Sequence, residues 1–108
     1  MITLRKARTI VRKTLEKSRE LGLKPMSVIV VDAGGHVQAF EREDMASPGR
    51  FAIAQGKAYG SVMLGMAGTA QMARAEAQAY FIAAAGGALG GQMIPVPGGV
   101  LVRDKKVL

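Results

Sequence analysis

Apolar and basic positions alternate with a helical period through the first twenty residues. The apolar side recurs every three or four positions, at Leu4, Ala7, Ile10 or Val11, Leu15, Ser18 and Leu21. This spacing lines one side of an α-helix with apolar groups. Thr3 is a suitable N-cap, and Gly22 followed by Pro25 favours a stop. The pattern therefore predicts a helix over residues 4–21, apolar on one side and basic on the other.

A β-hairpin is predicted directly after this helix. Residues 26–31 form a continuous, largely β-branched run, which is typical of a strand buried on both faces. The following Asp32-Ala33-Gly34-Gly35 favours a tight turn, because Asp tolerates turn geometry and Gly supplies a positive φ. Residues 36–42 then alternate between two faces, which predicts the return strand.

Small residues dominate the middle of the chain. After a loop over residues 43–49, Ser47 and Pro48 suit the N-cap and first position of a helix over 49–64. Gly56 and Gly60 lie inside this helix, where each costs about 1 kcal/mol relative to Ala. We therefore expect another backbone, or a flat ligand, to pack closely against them.

The remaining residues predict one more helix and two short strands. Thr69 is a suitable cap for an Ala-rich helix over 70–84 that closes at Gly86-Gly87. A flexible stretch and the Pro-Val-Pro-Gly-Gly motif of residues 95–99 lead to a strand at 100–103. A turn at 104–105 and the start of a strand at 106–108 complete the chain. The fold class expected is α+β.

Composition sets limits on this picture. At 108 residues the chain forms one domain, residues 1–108. The absence of cysteine excludes disulfides, thiolate catalysis and zinc–thiolate sites. His36 is the only histidine, so a His-rich metal cluster cannot form within one chain. No signal-peptide pattern and no apolar run of about 20 residues is present. We expect a cytoplasmic protein with no membrane partner.

The net charge is +7, and the basic residues are concentrated in the first quarter of the chain. Such a patch can bind nucleic acid, anionic lipid or the carboxylates of a ligand. It can equally be the solvated side of an amphipathic helix, which is the interpretation we favour. No aromatic residue lies among these charges, which argues against single-stranded nucleic acid. We therefore expect no nucleic-acid partner.

Several motifs occur in the order found in a known family. They are Val31-Asp32-Ala33-Gly34-Gly35-His36, then Arg42 and Asp44, then Ala54 with Lys57-Ala58, and finally Pro95-Val96-Pro97-Gly98-Gly99-Val100. In this order they resemble the haem-binding or glycolate-utilisation accessory domain family. That family includes haem-degrading domains and the C-terminal domain of some corrinoid adenosyltransferases. The resemblance covers nearly the whole chain.

The resemblance implies a specific fold, assembly and ligand class. Its members have a single antiparallel sheet of about four to five strands flanked by helices, in a profilin-like layout, and form homo-oligomers. Some bind haem or a corrinoid. The sequence ends at Leu108, short of the family's last strand and helix. Because an open sheet edge exposes unpaired N–H and C=O groups, we expect a neighbouring subunit to cover it.

Five residues are candidates for a ligand site: Lys57, Tyr59, His36, Asp44 and Arg50. His36 can be an axial ligand of iron or cobalt, or a half-exposed strand residue. Lys57 can pair with a ligand carboxylate or act as a base. It can equally be a helix-surface lysine, or form a salt bridge with Asp44 or Glu43. Tyr59 can donate a proton or bind iron, or be a core aromatic. Arg50 is a candidate partner for propionates or phosphates.

Carboxylate chemistry gives one further alternative. Asp32 and Asp44 can form an acid–base pair, or they can simply shape a turn and a loop. The glycine pairs lack the lysine and the strand-to-helix context of a phosphate loop.

Three functions remain open. The leading hypothesis is a homo-oligomer that binds haem or another tetrapyrrole near Lys57 and Tyr59. The second is an enzyme that acts on haem or on a small organic acid. The third is a non-catalytic accessory or structural subunit.

Overall fold

The structure, a computed structural model, describes residues 1–103. Its elements in chain order are α1 (Leu4–Glu20), β1 (Ser27–Val31), β2 (Val37–Arg42), α2 (Arg50–Leu64), α3 (Gly68–Ala77) and α4 (Ala79–Ala88). The α+β class is confirmed, since helices flank an antiparallel hairpin. No helix in residues 1–103 is long and apolar enough to cross a membrane.

Helix α1 forms where the sequence predicts it and supplies most of the buried cluster that packs on the hairpin. The Thr3 hydroxyl accepts the backbone N–H of Lys6 at 3.1 Å, a side-chain N-cap. Ala7, Val11 and Leu15 are buried together with Val30 of β1. The apolar stripe therefore covers the hairpin, and the basic side of the helix is left in solvent.

The hairpin has one helix on each face. Val30 pairs with Ala39, and the register shifts between Val30 and Val31, which marks a bulge. Ala39 packs against the core beneath α1. Phe40 instead meets Phe51 of α2 edge-on, with ring centroids 4.9 Å apart. Because neighbouring strand residues point to opposite faces, α1 and α2 lie on opposite sides of the sheet.

Helix α2 begins slightly later than expected and lacks the predicted cap. Gly49 is the N-cap and makes no side-chain hydrogen bond, so the assignment of Ser47 as the cap is wrong. The Ser47 carbonyl instead accepts the N–H of Arg50 at 3.1 Å, which closes a turn before the helix. The helix ends at Gly65, whose φ of 65° is left-handed.

The prediction of one helix over 70–84 is wrong, because the chain bends at Gln78. There φ is −141° and ψ is 68°, which separates α3 from α4. The Gln78 side chain accepts the Nε–H of Arg74 at 2.5 Å. The Arg74 guanidinium also lies 4.1 Å from the centroid of the Phe81 ring. These contacts hold the corner between the two helices.

The ends of these two helices also differ from the prediction. Ala67, not Thr69, is the N-cap of α3, and it makes no side-chain hydrogen bond. Helix α4 continues past Gly86 and Gly87 to Ala88. A glycine in a helix carries a cost but does not by itself end the helix.

The predicted strand at 100–103 is wrong. The Gly68 N–H donates to the Gly99 carbonyl at 2.9 Å, which fixes this segment beside the start of α3. Val100 is 77% exposed and Val102 is 67% exposed, so neither packs in a sheet. Within residues 1–103 the sheet therefore has two strands, β1 and β2. The turn expected at 104–105 and the strand expected at 106–108 lie outside the described residues.

Candidate functional site

The turn between β1 and β2 is organised by the Asp32 side chain. Its Oδ1 accepts the backbone N–H groups of Gly34 and His36, each at 2.9 Å. The Asp32 carbonyl accepts the Gly35 N–H at 2.9 Å, and Gly35 has a φ of 81°. The turn predicted from Asp32 and the following glycines is therefore confirmed. Within it, the Asp32 carboxylate accepts hydrogen bonds that a backbone carbonyl would otherwise accept.

The same carboxylate also contacts the imidazole of His36. The distance from His36 Nδ1 to Asp32 Oδ1 is 3.2 Å, and the His36 side chain is 81% exposed. Hydrogen bonds from the backbone N–H groups of His36 and Gly34, together with the imidazole, lower the pKa of Asp32 below its ordinary 3.8. Asp32 is therefore a carboxylate at neutral pH. In the tautomer with Nδ1 protonated, the Nδ1–H group donates a hydrogen bond to the Asp32 carboxylate, and Nε2 keeps a free lone pair.

Tyr59 and Met63 of α2 lie beneath this turn. A Cβ placed on Gly35 would be 2.8 Å from Tyr59 Cδ1 and 3.3 Å from Met63 Cε. The absence of a side chain at Gly35 is what allows the turn to approach α2 so closely. We call Asp32, His36, Tyr59 and Met63 the turn cluster. It combines a nitrogen donor, a carboxylate behind it, and aromatic and thioether groups.

Lys57 lies on a different side of α2 from Tyr59. A Cβ placed on Gly98 would be 3.1 Å from Lys57 Cδ and 3.3 Å from its Nζ. Residues two apart on a helix do not face each other, and Tyr59 contacts Gly35 instead. The structure thus separates Lys57 from the turn cluster. Within residues 1–103, Lys57 has no salt bridge.

The glycines of α2 contact the chain's own later segment. The Ile94 N–H donates to the Gly56 carbonyl at 3.1 Å. A Cβ on Gly56 would be 2.6 Å from Ile94 Cγ1, and one on Gly60 would be 3.1 Å from Met93 Cβ. Of the two expectations for these glycines, a close backbone or a flat ligand, the structure shows the close backbone.

A buried polar group fixes α3 to α2 beside this contact. Gln71 is fully buried, and its Nε2 donates to Ser61 Oγ at 3.2 Å and to the Met66 carbonyl at 2.9 Å. Ser61 Oγ donates in turn to the Lys57 carbonyl at 3.0 Å. Lys57 is therefore held on a helix whose buried side is fully occupied by protein.

Asp44 and Arg50 are remote from the turn cluster. Asp44 follows β2 at the end opposite the turn, roughly 20 Å away along the strand. It lines an open groove of about 460 Å³ that also contains Arg19 and Glu43. Glu43 pairs with Arg19 at 3.3 Å. Arg50 begins α2 and is seven residues before Lys57, so the two lie on the same side of the helix.

The expected carboxylate pair does not form, because Asp32 and Asp44 lie at opposite ends of β2. Asp32 supports His36 instead, a role that sequence reasoning missed. The signal available was the four-residue spacing of these two residues across a Gly-Gly turn. Met63 follows Tyr59 at the i, i+4 spacing that brings helix side chains together. In residues 1–103 no group of three His, Asp or Glu side chains is placed to hold a metal ion.

Comparison with known proteins supports the resemblance. A search of curated proteins found no match. A family model described as haem degrading protein HbpS-like matches residues 2–108. That match spans almost the whole sequence, including the turn cluster, the Lys57 region and the Pro-Gly-Gly segment. The chain belongs to the family of HbpS-like haem-degrading proteins.

Proposed function

We propose that this protein binds haem, or a related tetrapyrrole such as a corrinoid, at the turn cluster, with His36 as the metal ligand. The observation that carries the proposal is the Asp32–His36 contact of 3.2 Å on an exposed turn. Membership of an HbpS-like haem-degrading family makes haem the first ligand to test.

The residues present fit an iron ligand. A metal-binding histidine commonly donates its second ring N–H to a carboxylate, which fixes the ring and raises its basicity. Asp32 Oδ1 is placed to accept a hydrogen bond from the Nδ1–H group, so Nε2 is the atom that would bind the metal. Tyr59 and Met63 pack against Gly35, next to His36 in the turn, and are half-buried, so their exposed part would be the apolar surface offered to a flat ring. The bound group would supply the redox chemistry, and the chain would bind and orient it.

We also propose that the protein works as a homo-oligomer with a larger sheet. Within residues 1–103, no backbone hydrogen bond from another element reaches the outer edges of β1 or β2. Exposed strand edges favour pairing with further strands. Strands added across a subunit boundary would bring the sheet to the four to five strands expected for the family. A subunit boundary near the turn would also cover the exposed imidazole of His36.

A haemin titration followed by absorbance tests the proposed site. We expect a saturable Soret shift with a fixed stoichiometry in the unaltered protein, and its loss in His36→Ala. Asp32→Asn keeps an acceptor oxygen for the turn but weakens the support of the imidazole, so haem affinity should fall about 10- to 100-fold. Lys57→Ala is the control, because Lys57 lies away from the turn cluster. Equal, non-saturating changes in all four proteins would contradict the proposal.

A second candidate function is binding or turnover of a small organic acid at Lys57. The supporting observation is that Lys57 is half-buried beside Gly98 and lacks a carboxylate partner within residues 1–103. Calorimetry with short carboxylic acids tests it. Lys57→Gln should abolish binding, whereas Lys13→Gln, a charge loss on α1, should leave it unchanged. A protein indifferent to both haemin and carboxylates would instead favour an accessory or structural subunit.

A further inference from the structure

Nearly all of the net charge lies in the first 24 residues. They contain eight basic and two acidic residues, which is a net charge of +6. The other 84 residues contain seven basic and six acidic residues. The chain is therefore electrically polarised, and α1 carries the positive end.

The fold turns these cations outward. Because Ala7, Val11 and Leu15 are buried against the hairpin, the basic side of α1 faces solvent. All eight basic residues of this segment are exposed: Arg5, Lys6, Arg8, Arg12, Lys13, Lys17, Arg19 and Lys24. Glu16 is 3.9 Å from both Arg12 and Lys13, so it offsets only part of the charge. The result is an exposed cationic surface along the helix.

Apolar side chains adjoin the C-terminal end of this surface. Leu21 is 60% exposed and Leu23 is 52% exposed. Together with Met26 they line a shallow groove of about 380 Å³. Lys13 and Lys17 form part of its rim. Exposed leucines beside lysines are the combination found on proteins that contact the membrane interface.

We propose that this surface docks on an anionic phospholipid membrane, with the cations against the lipid phosphates and the two leucines in contact with the acyl region. The contact is shallow, because the apolar stripe of α1 is already buried in the protein core. This proposal revises the expectation of no membrane partner, which rested on the absence of a spanning segment. It does not depend on the proposed haem site.

Nucleic acid fits the same charges less well. Residues 1–24 contain no aromatic residue to stack on bases and no Asn or Gln to bind base edges. The sugar-phosphate backbone of a nucleic acid is polar, so Leu21 and Leu23 would not contribute to binding it. The leucines therefore distinguish the two partners experimentally.

Vesicle co-sedimentation tests the proposal, using phosphatidylcholine vesicles with and without phosphatidylglycerol at 0.15 M salt. The protein should bind only the anionic vesicles. Lys17→Gln should weaken partitioning about fivefold, and Lys13→Gln/Lys17→Gln more. Arg103→Gln is the charge-matched control: it removes one exposed charge from outside residues 1–26, which contain the proposed docking surface, and should change little.

The leucines give the decisive comparison. Leu21→Ser/Leu23→Ser should weaken vesicle binding at least about threefold through lost apolar contact, and should leave the fold intact because both side chains are mostly exposed. Binding that depends on the lysines but not on the leucines would indicate a general polyanion surface and would overturn the proposal. Failure to bind anionic vesicles, or equal binding to neutral ones, would overturn it as well.

Discussion

The N-terminal region, α1 with the hairpin, is packed through large side chains, whereas the region from α2 to Arg103 is packed through glycines. In the first, Val11, Leu15 and Val30 form a buried cluster. In the second, residues 92–94 lie directly against Gly56 and Gly60 of α2, and the fully buried groups are Ser61 and Gln71. Side-chain packing tolerates partial collapse around a lost group. Backbone contact at a glycine leaves no room for an added one.

The largest expected effect is in the side-chain core. Leu15→Ala removes a side chain that is only 4% exposed, so we expect unfolding to become easier by about 2–5 kcal/mol. Urea unfolding followed by circular dichroism measures the change. Leu21→Ala is the matched control on the same sequence segment, because Leu21 is 60% exposed and should cost less than about 0.5 kcal/mol. Similar losses in both variants would show that the cluster is not the core.

The glycine-packed region should instead lose stability when a side-chain atom is added. A Cβ on Gly68 would collide with the Val96 carbonyl and lie 3.1 Å from the backbone nitrogens of Gly98 and Gly99. These are backbone atoms and cannot rotate away. We therefore expect Gly68→Ala to destabilise the protein by about 1–3 kcal/mol. Gly49→Ala is a control, because nothing lies within 4 Å of that position. Equal stability of the two variants would mean that the segment is not held against α3.

This contrast explains how far the sequence could predict the fold. Helix α1 and the hairpin follow from apolar periods of 3.6 and 2, because their packing is made by the residues that produce the pattern. The bend at Gln78 is held by Arg74, which contacts both Gln78 and Phe81. These side-chain contacts leave no mark on the apolar periodicity of the sequence. The segment before the predicted strand at 100–103 is likewise positioned by a hydrogen bond from Gly68 to Gly99, which the apolar pattern does not indicate.

The candidate site shows the same limit. His36 was identifiable from the sequence because it is the only imidazole, and Tyr59 because it directly follows the Lys57-Ala58 motif. Their proximity could not be deduced, because it depends on α2 packing beneath Gly35. Lys57 and Tyr59 were expected to share a site, since they are two residues apart. The helix instead directs them to different neighbours.

The turn between β1 and β2 joins the two regions, and its contribution to the stability of the protein should change with pH in the acid range. The lowered pKa of Asp32 means that the native state favours the carboxylate. Its stabilisation is complete above the ordinary pKa of 3.8 and is lost as the pH falls through the lower native value. Asp32→Ala should thus be less stable than the unaltered protein at pH 7, by less than Gly68→Ala, and the difference should shrink below about pH 4. Unfolding curves at several pH values measure this. A difference that grows on acidification would contradict the assignment.

The smallest expected effect concerns two glycines near the end of α4, which differ in whether the fold requires a glycine at that position. Gly86 lies inside α4, and a Cβ there would meet nothing within 4 Å. Gly86→Ala should therefore stabilise the protein by up to about 1 kcal/mol, because alanine favours the helix and restricts the unfolded chain. A Cβ on Gly90, just past the same helix, would make only an ordinary contact of 3.9 Å with Gln92 Nε2, but Gly90 has a φ of 75°. Gly90→Ala should cost about 1 kcal/mol through backbone strain alone. Thermal unfolding of the pair separates the two causes: if both variants lose stability, then α4 needs its glycines for contacts that space and φ do not explain.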